Sequence, residues 1–219
     1  MIPPAVSADV EKRVAAEAAA ELVQDGMVVG LGTGSTVGFL LPAVAARGLS
    51  LRCVATSPQT EAAARALGLS VESFDELDRF DIAIDGADQV APDGWLVKGG
   101  GAAHTREKIV AAASDRFVVV ADASKTVDAI HPPVPVELLR YGLRATLREV
   151  GDVEVRAGTP ASPDGNVIAD YCGEVGDPAA LATRLSAVPG VVEHGLFPPS
   201  LVSEVIVGRG DRAERVAIG

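Results

Sequence analysis

Two aspartates follow a short apolar segment in the first half of the chain, at a place where they could take part in a reaction. The segment from Phe80 to Ile84 predicts a buried strand, and Asp85-Gly86-Ala87-Asp88 comes directly after it. Open α/β sheets build their sites at the carboxyl ends of strands. Carboxylates in such a site can accept and return protons. Aspartate and glycine are also common turn residues, so an ordinary turn stays an open alternative.

A run of three glycines is the second candidate. Lys98 precedes Gly99 to Gly101, and a predicted helix then extends to about Ala113. Successive glycines carry a large entropic cost, and we expect them where backbone approaches another group closely, here a substrate. Glu107 lies in the first two turns of the helix and could point back toward the aspartates. A solvated glutamate that matches the helix dipole is the alternative.

A glycine-rich loop from Gly30 to Thr36 follows a predicted strand and begins a predicted helix, where backbone N–H groups favour an anion. A dinucleotide-binding loop has the pattern G-x-G-x-x-G. Counted from Gly30 or from Gly32, the third glycine position is occupied by Ser35 or Val37, and the next predicted strand ends without a carboxylate to bind the ribose diol, so the loop does not fit a dinucleotide site. A Walker loop is excluded because no lysine follows Gly34. A plain tight turn stays open. Otherwise the loop suits one phosphate monoester, which it would hold with the hydroxyls of Thr33, Ser35 and Thr36.

The first part of the chain predicts alternating strands and helices. Strands read as continuous apolar runs, which indicates a parallel sheet covered on both faces. We therefore predict a Rossmann-like α/β domain. Its strands are predicted at 27–31, 51–55, 69–72, 80–84 and 116–121.

The order of predicted elements changes after His131-Pro132-Pro133, a stiff segment that suits a domain junction. Beyond it the order is βαββαβ, with a last strand from Val191 to Phe197, which predicts a second, smaller ferredoxin-like α+β domain. We expect two further strands, 204–207 and 215–218, to return to the first sheet. The predicted division is residues 1–130 plus 202–219 for the catalytic domain and 131–201 for the small domain.

Composition excludes several classes of protein. The 219 residues are 48% hydrophobic, enough for a full core, and the formal net charge of -11 argues against general nucleic-acid binding. No apolar leader or segment of membrane-spanning length occurs, so we expect a cytoplasmic protein without a membrane partner. Cys53 and Cys172 have no ligand partners at metal-binding spacing, and we expect both thiols to be buried.

The chain closely resembles ribose-5-phosphate isomerases of the A type. The matching motifs are GLGTGSTV at 30–37, IDGAD at 84–88, KGGGAA and TREKIVA within 98–111, and ADASK at 121–125. Together with PVPVE and PGVVEHGLF, the likeness covers essentially the whole chain. Four separated motifs in the right order are highly specific.

The resemblance implies interconversion of D-ribose 5-phosphate and D-ribulose 5-phosphate through an enediolate, in the non-oxidative pentose phosphate pathway. It implies no metal or redox cofactor and a homodimer or homotetramer. Glu107 would be the general base, with Asp85, Asp88 and Lys98 at the reacting end. The implied substrate contacts are Thr33, Gly34, Ser35, Thr36, Asp85, Gly86, Ala87, Asp88, Lys98, Gly99, Gly100, Gly101, Lys125 and, less directly, Lys12.

Two positions depart from the family pattern, since Gln89 stands where a glutamate is usual and His104 where a leucine is usual. Two other functions stay open: a related sugar-phosphate isomerase or deaminase, and a sugar-phosphate sensor that has lost catalysis. The sensor is disfavoured because Glu107 is present and the N-terminus predicts a single helix.

Overall fold

The computed structural model describes residues 7–218. The helices in this part of the chain are α1 (Ala8–Ala20), α2 (Ser35–Ala45), α3 (Pro58–Ala66), α4 (His104–Ala112), α5 (Leu143–Val150) and α6 (Pro178–Ser186). None of these helices has the length and apolar character needed to cross a membrane.

The described part of the chain also contains strands. They are β1 (Val28–Leu31), β2 (Arg52–Ala55), β3 (Ile82–Gly86), β4 (Gln89–Val90), β5 (Leu96–Val97), β6 (Phe117–Asp122), β7 (Val134–Leu138), β8 (Val153–Val155), β9 (Val167–Tyr171), β10 (Val191–His194), β11 (Leu196–Phe197), β12 (Glu204–Arg209) and β13 (Arg212–Ala217).

The main sheet has the strand order β13-β12-β6-β3-β1-β2 and is parallel except for β13, which pairs antiparallel with β12. Successive side chains of β3 point to opposite faces of the sheet and pack in two separate hydrophobic cores. Ile82 and Ile84 pack with α1 and α2, whereas Ala83 packs with Val110 of α4. The sheet is therefore covered on both faces, which explains the apolar runs and confirms the predicted α/β class.

Two predicted strands of this sheet have different bounds. The segment 69–72 forms only a single bridge between Cys53 and Val71, held by two backbone hydrogen bonds to Cys53, and does not extend into a strand. The strand predicted at 80–84 begins later, at Ile82, and includes Asp85. Asp85 is therefore a buried strand residue and not part of the turn that follows.

The small sheet has the order β10-β7-β9-β8, and α5 and α6 pack against it in a separate core. The chain order β7-α5-β8-β9-α6-β10 matches the predicted βαββαβ arrangement. The domain bounds at residues 131 and 201 stay a prediction. The strands β12 and β13 return to the main sheet, as expected.

The strand predicted from Val191 to Phe197 is two strands. Its second part, β11, pairs with β5 in a three-stranded sheet of order β11-β5-β4. The break falls at Gly195, whose carbonyl accepts a hydrogen bond from the Lys98 amide at 2.8 Å. A Cβ at Gly195 would lie 2.1 Å from the Lys98 carbonyl oxygen, so only glycine permits this approach.

The two cysteines differ in exposure. Cys53 lies in β2 and is buried, as expected. Cys172 is exposed, so the expectation of a buried thiol is wrong there. It follows the last residue of β9, where the chain leaves the core of the small sheet.

Candidate active site

The carboxyl ends of β1, β3 and β6 meet at one edge of the main sheet, beside a cavity of about 300 Å³. The chain passes from β1 to β2 on one side and then to β3 on the other, so this is a topological switch point of the sheet. All the predicted site residues except Asp85 and Lys12 line the cavity: Thr33, Gly34, Ser35, Thr36, Gly86, Ala87, Asp88, Lys98, Gly99, Gly100, Gly101, Glu107 and Lys125.

A buried lysine lies between two buried carboxylates at the base of this cavity. Lys98 Nζ donates to Asp85 Oδ2 at 2.8 Å and also to the Gly86 carbonyl oxygen. Glu107 Oε2 lies 3.1 Å from the same Nζ, close enough for an ion pair but without hydrogen-bond geometry. Among the described residues Glu107 Oε2 accepts no hydrogen bond, so its contact with Lys98 is electrostatic.

Burial shifts the ionisation of these three groups. It raises the pKa of Glu107 to about 8, helped by the negative charge of Asp85 and opposed by Lys98. Burial likewise raises the pKa of Asp85, against the opposing effect of Lys98. For Lys98 burial lowers the pKa, but the two carboxylates outweigh it and the net shift is upward. Lys98 therefore stays charged, while one of the carboxyls can take up a proton near neutral pH.

Asp85 lies behind the cavity lining and joins several segments of the site. Its Oδ1 accepts the amides of Thr33 at 3.0 Å and Gly86 at 2.7 Å, while Oδ2 binds Lys98. A Cβ on Gly32 would lie 1.9 Å from Asp85 Cγ, so the glycine is needed for the loop to approach the carboxylate. Asp85 thus connects the β1–α2 loop to Lys98.

The hydroxyl of Thr33 belongs to a cluster that sequence analysis did not identify. Thr33 Oγ1 lies 2.8 Å from Thr56 Oγ1, donates to Ser57 Oγ at 2.8 Å and lies 3.2 Å from Thr60 Oγ1. Thr60 Oγ1 in turn donates to the Gly32 carbonyl at 2.9 Å. Three hydroxyl residues within five positions after β2 are the only local sign of this cluster, which fixes the β1–α2 loop against α3.

The part of the cavity lining at the start of α2 suits a phosphate. Gly34 caps α2 with φ 137° and supplies no side-chain hydrogen bond, so the first amides of the helix are free for an anion. Ser35, Thr36 and Lys125 line the cavity. Lys12 is outside the lining, with Nζ 3.9 Å from Asp9, and its phosphate contact stays a prediction.

Helix α4, which carries Glu107, is bonded to the small sheet on either side of that residue. Thr105 Oγ1 donates to Glu137 Oε2 at 2.5 Å. Lys108 Nζ donates to Glu193 Oε1 at 2.7 Å and to the His194 carbonyl at 2.6 Å. The orientation of Glu107 therefore depends on contacts from the small sheet.

The two departures from the family pattern serve packing. The Gln89 amide donates to the His131 carbonyl at 2.8 Å and accepts from the His131 amide at 3.0 Å, and an ionised glutamate could not donate the first bond. His104 is buried, and burial lowers its pKa to about 4, so its ring is neutral. It lies against Gly99 and does not line the cavity.

The site therefore combines a buried carboxyl group with a raised pKa, a fixed cation beside it, and the uncapped first amides of α2. Within residues 7–218, no group of three or more His, Cys, Asp or Glu side chains is arranged to hold a metal ion.

Comparisons with known proteins give one consistent result. Residues 52–212 match the family model described as ribose 5-phosphate isomerase A (phosphoriboisomerase A). The chain is 44% identical to the ribose-5-phosphate isomerase A of Caulobacter vibrioides, over 96% of this chain and 99% of that protein. It resembles the crystal structure of ribose 5 phosphate isomerase A from Neisseria gonorrhoeae with a TM-score of 0.93 and 33% identity, covering 98% and 99% of the two chains. A D-ribose-5-phosphate isomerase in complex with phospho-erythronic acid matches with a TM-score of 0.88 and 34% identity, covering 94% and 97%.

Proposed function

Because this chain belongs to the ribose 5-phosphate isomerase A family, an aldose-ketose isomerase family acting on a pentose phosphate, we propose that Glu107 is the general base of that isomerisation. The observation that carries the proposal is the buried Glu107 carboxylate, which lines the cavity and whose Oε2 is ion-paired with Lys98 but accepts no hydrogen bond from the described residues. In this reaction a single carboxylate removes the proton from C2 of ribose 5-phosphate and delivers it to C1. The raised pKa of Glu107 matches a group that must both take and return a proton.

Lys98 stabilises the enediolate intermediate in this proposal. Negative charge builds on the oxygens of C1 and C2 when the proton leaves, and a cation already in place lowers that barrier. Asp85 holds the ammonium in position, so it need not reorganise during the reaction. The Gly99 to Gly101 loop also lines the cavity, and because its Gly100 amide is held by Asp88, the Gly101 amide is left to donate to the same oxygens.

Asp88 moves the hydroxyl protons. Its side chain lines the cavity, and Oδ2 accepts the Gly100 amide at 2.7 Å, which fixes the carboxylate beside the glycine loop. From there it can accept and return the protons of the C1 and C2 hydroxyls and assist opening of the furanose ring. Asp85 has its oxygens occupied by protein donors, so its contribution passes through Lys98 and the β1–α2 loop.

The phosphate end positions the substrate. The phosphate does not react, so its binding energy at the start of α2 and at Lys125 can hold C1 and C2 against Glu107. A solved relative in complex with phospho-erythronic acid, a phosphorylated sugar acid, supports a site of this kind.

The test is the turnover of ribose 5-phosphate by the purified, EDTA-treated protein, with ketose formation followed over time. Glu107→Gln should lower kcat by about 10² to 10⁴-fold, the usual contribution of a general base, while KM changes little. Glu61→Gln is a matched control, because Glu61 is an exposed glutamate outside the cavity.

Three results would contradict parts of the proposal. Unchanged turnover in Glu107→Gln excludes this residue as the base. Absence of turnover in the unsubstituted protein supports a sugar-phosphate sensor that has lost catalysis. Turnover of hexose phosphates alone supports a related sugar-phosphate isomerase or deaminase.

The assembly and location belong to the same proposal. The family resemblance supports a homodimer or homotetramer, which sedimentation of the purified chain would distinguish from a monomer. A phosphorylated pentose is charged and does not cross membranes freely, which supports a cytoplasmic location for the enzyme.

A further inference from the structure

An arginine of the small sheet reaches the glycine loop of the active site. Arg156 directly follows β8, and its Nη1 donates to the Gly99 carbonyl oxygen at 2.8 Å and approaches the Gly100 carbonyl oxygen at 3.4 Å. Arg156 does not line the cavity. Its contact with the site therefore passes entirely through the backbone of the loop.

Asp170 of β9 fixes the guanidinium from the other side. Arg156 Nε donates to Asp170 Oδ2 at 2.7 Å and Nη2 donates to Oδ1 at 2.6 Å, a bidentate pair. Both side chains are largely buried, 17% and 20% exposed. A bidentate pair fixes the plane of the guanidinium, so Nη1 is directed at the loop before any substrate binds.

The loop itself needs such support. Gly99 has φ 113° and Ala102 has φ 61°, a left-handed conformation that costs an alanine free energy. The Gly99 carbonyl oxygen accepts a hydrogen bond from the Ala102 amide at 3.0 Å within the loop. Three glycines give the chain many other conformations, so contacts from outside the loop help to select one.

The planarity of the peptide bond transmits the contact. In a trans peptide the C=O and the following N–H point in opposite directions. The Gly99 carbonyl points at Arg156, and the Gly100 amide of the same peptide unit donates to Asp88 Oδ2 at 2.7 Å. The contact at the Gly100 carbonyl turns the Gly101 amide away from Arg156 in the same way.

We propose that Arg156, oriented by Asp170, is a positioning residue for the isomerisation, because it turns the carbonyls of Gly99 and Gly100 away from the cavity and their partner amides toward it. The inference rests on the proposed function. Carbonyl oxygens directed at the cavity would repel the developing enediolate, whereas with the carbonyls turned away the Gly100 amide holds Asp88 and the Gly101 amide can stabilise the negative charge. The small sheet thereby sets the electrostatics of the reacting end.

The experiment compares Arg156→Ala, Arg156→Lys and Asp170→Asn with the unsubstituted enzyme. Steady-state kinetics with ribose 5-phosphate and hydrogen exchange of the amides from 99 to 102 are measured on each. We expect Arg156→Ala to lower kcat by about 10 to 100-fold, the scale of a small misplacement at a reacting centre, with KM within about threefold. Exchange of the loop amides should become faster.

The conservative variants give the second readout. Lysine cannot bind the carboxylate and the carbonyl in one plane, so Arg156→Lys should recover only part of the lost kcat. Asp170→Asn should fall between Arg156→Ala and the unsubstituted enzyme. Arg140→Ala is the matched control, since Arg140 also donates to a backbone carbonyl in the small domain, that of Gly165 at 2.9 Å.

Unchanged kcat and loop exchange in folded Arg156→Ala would overturn the inference, even if its melting temperature falls. Full activity of Arg156→Lys would also overturn it, because charge alone would then suffice. If Arg156→Ala does not fold, the kinetics and exchange of the other two variants decide. If the unsubstituted protein fails to isomerise ribose 5-phosphate, the proposed function fails. Hydrogen exchange of the loop amides then still tests whether Arg156 orders the glycine loop.

Discussion

At the scale of single residues, the site buries two carboxylates, those of Asp85 and Glu107, and the ammonium of Lys98. Glu107 lies in the first turn of α4, where the helix dipole favours the ionised form. Burial and the charge of Asp85 act in the opposite direction and dominate, so the pKa of Glu107 rises to about 8. The residue therefore has the ionisation behaviour of a base that works near neutral pH.

This shift predicts the pH dependence of the reaction. The base must be ionised, so kcat/KM for ribose 5-phosphate should fall as the pH decreases through about 8 and approach a plateau above it. A pH profile of the initial rate measures the inflection. The residual activity of Glu107→Gln should lack it. An inflection near the ordinary glutamate value in the unsubstituted enzyme would show that the Glu107 carboxylate is well solvated in solution.

At the scale of elements, the turn from β1 into α2 determines the distance between the phosphate end and the reacting end. Gly32 lets the turn touch Asp85, and Thr33 donates its amide to the same carboxylate. The hydroxyl cluster around Thr33 holds the turn from the side of α3. A single glycine thus couples the anion cradle to Asp85 and Lys98.

Substitution of Gly32 tests this coupling, with substitution of Gly38 as its control, and we expect opposite results. In Gly32→Ala the new Cβ would lie 1.9 Å from Asp85 Cγ, so we expect a loss of stability of about 1 to 3 kcal/mol from overpacking and a loss of activity. Gly38→Ala lies within α2 with no atom within 4 Å of the new Cβ, so we expect a gain of up to about 1 kcal/mol.

Urea unfolding and turnover of both variants provide the measurement. A fully active Gly32→Ala enzyme would show that the turn can move away from Asp85 without affecting the reaction. A destabilised Gly38→Ala protein would show that the exposed side of α2 is covered in solution.

At the scale of the whole molecule, the small sheet supplies contacts that shape the site from outside it. The Gly195 carbonyl binds the Lys98 amide, and Lys108 bonds α4 to Glu193 and His194. Arg156 reaches the glycine loop. The cavity lies at the edge of the main sheet, but its geometry depends on both sheets.

The bonds between α4 and the small sheet should differ in energy according to their burial. Lys108 and Glu193 are 13% and 27% exposed, and we expect Lys108→Ala to lower the free energy of unfolding by about 2 to 4 kcal/mol, because it leaves Glu193 without its cation. Arg106 and Asp164 are 39% and 42% exposed, so Arg106→Ala should cost about 1 kcal/mol or less. Urea unfolding of both variants measures the difference, and equal costs would contradict it.

The sequence by itself determined which residue types carry the chemistry and the order in which they occur. Glycines, carboxylates and a lysine at the ends of apolar segments are local features, and a parallel sheet brings such ends to one edge. For this reason the cavity residues from Thr33 to Glu107 could be anticipated, as could the α/β class and the βαββαβ order, whereas Lys125 came only from the family resemblance. The resemblance to a known family added the roles of Glu107 and Lys98.

The tertiary structure decided how those residues behave. The raised pKa of Glu107, the engaged hydroxyl of Thr33 and the exposure of Cys172 depend on contacts with distant segments. Arg156 and Asp170 gave no local signal, because the contact of Arg156 with the loop arises only when the two sheets pack together. Ionisation and the direction of a backbone dipole are set by the surrounding charges and by burial, and these are properties of the folded chain.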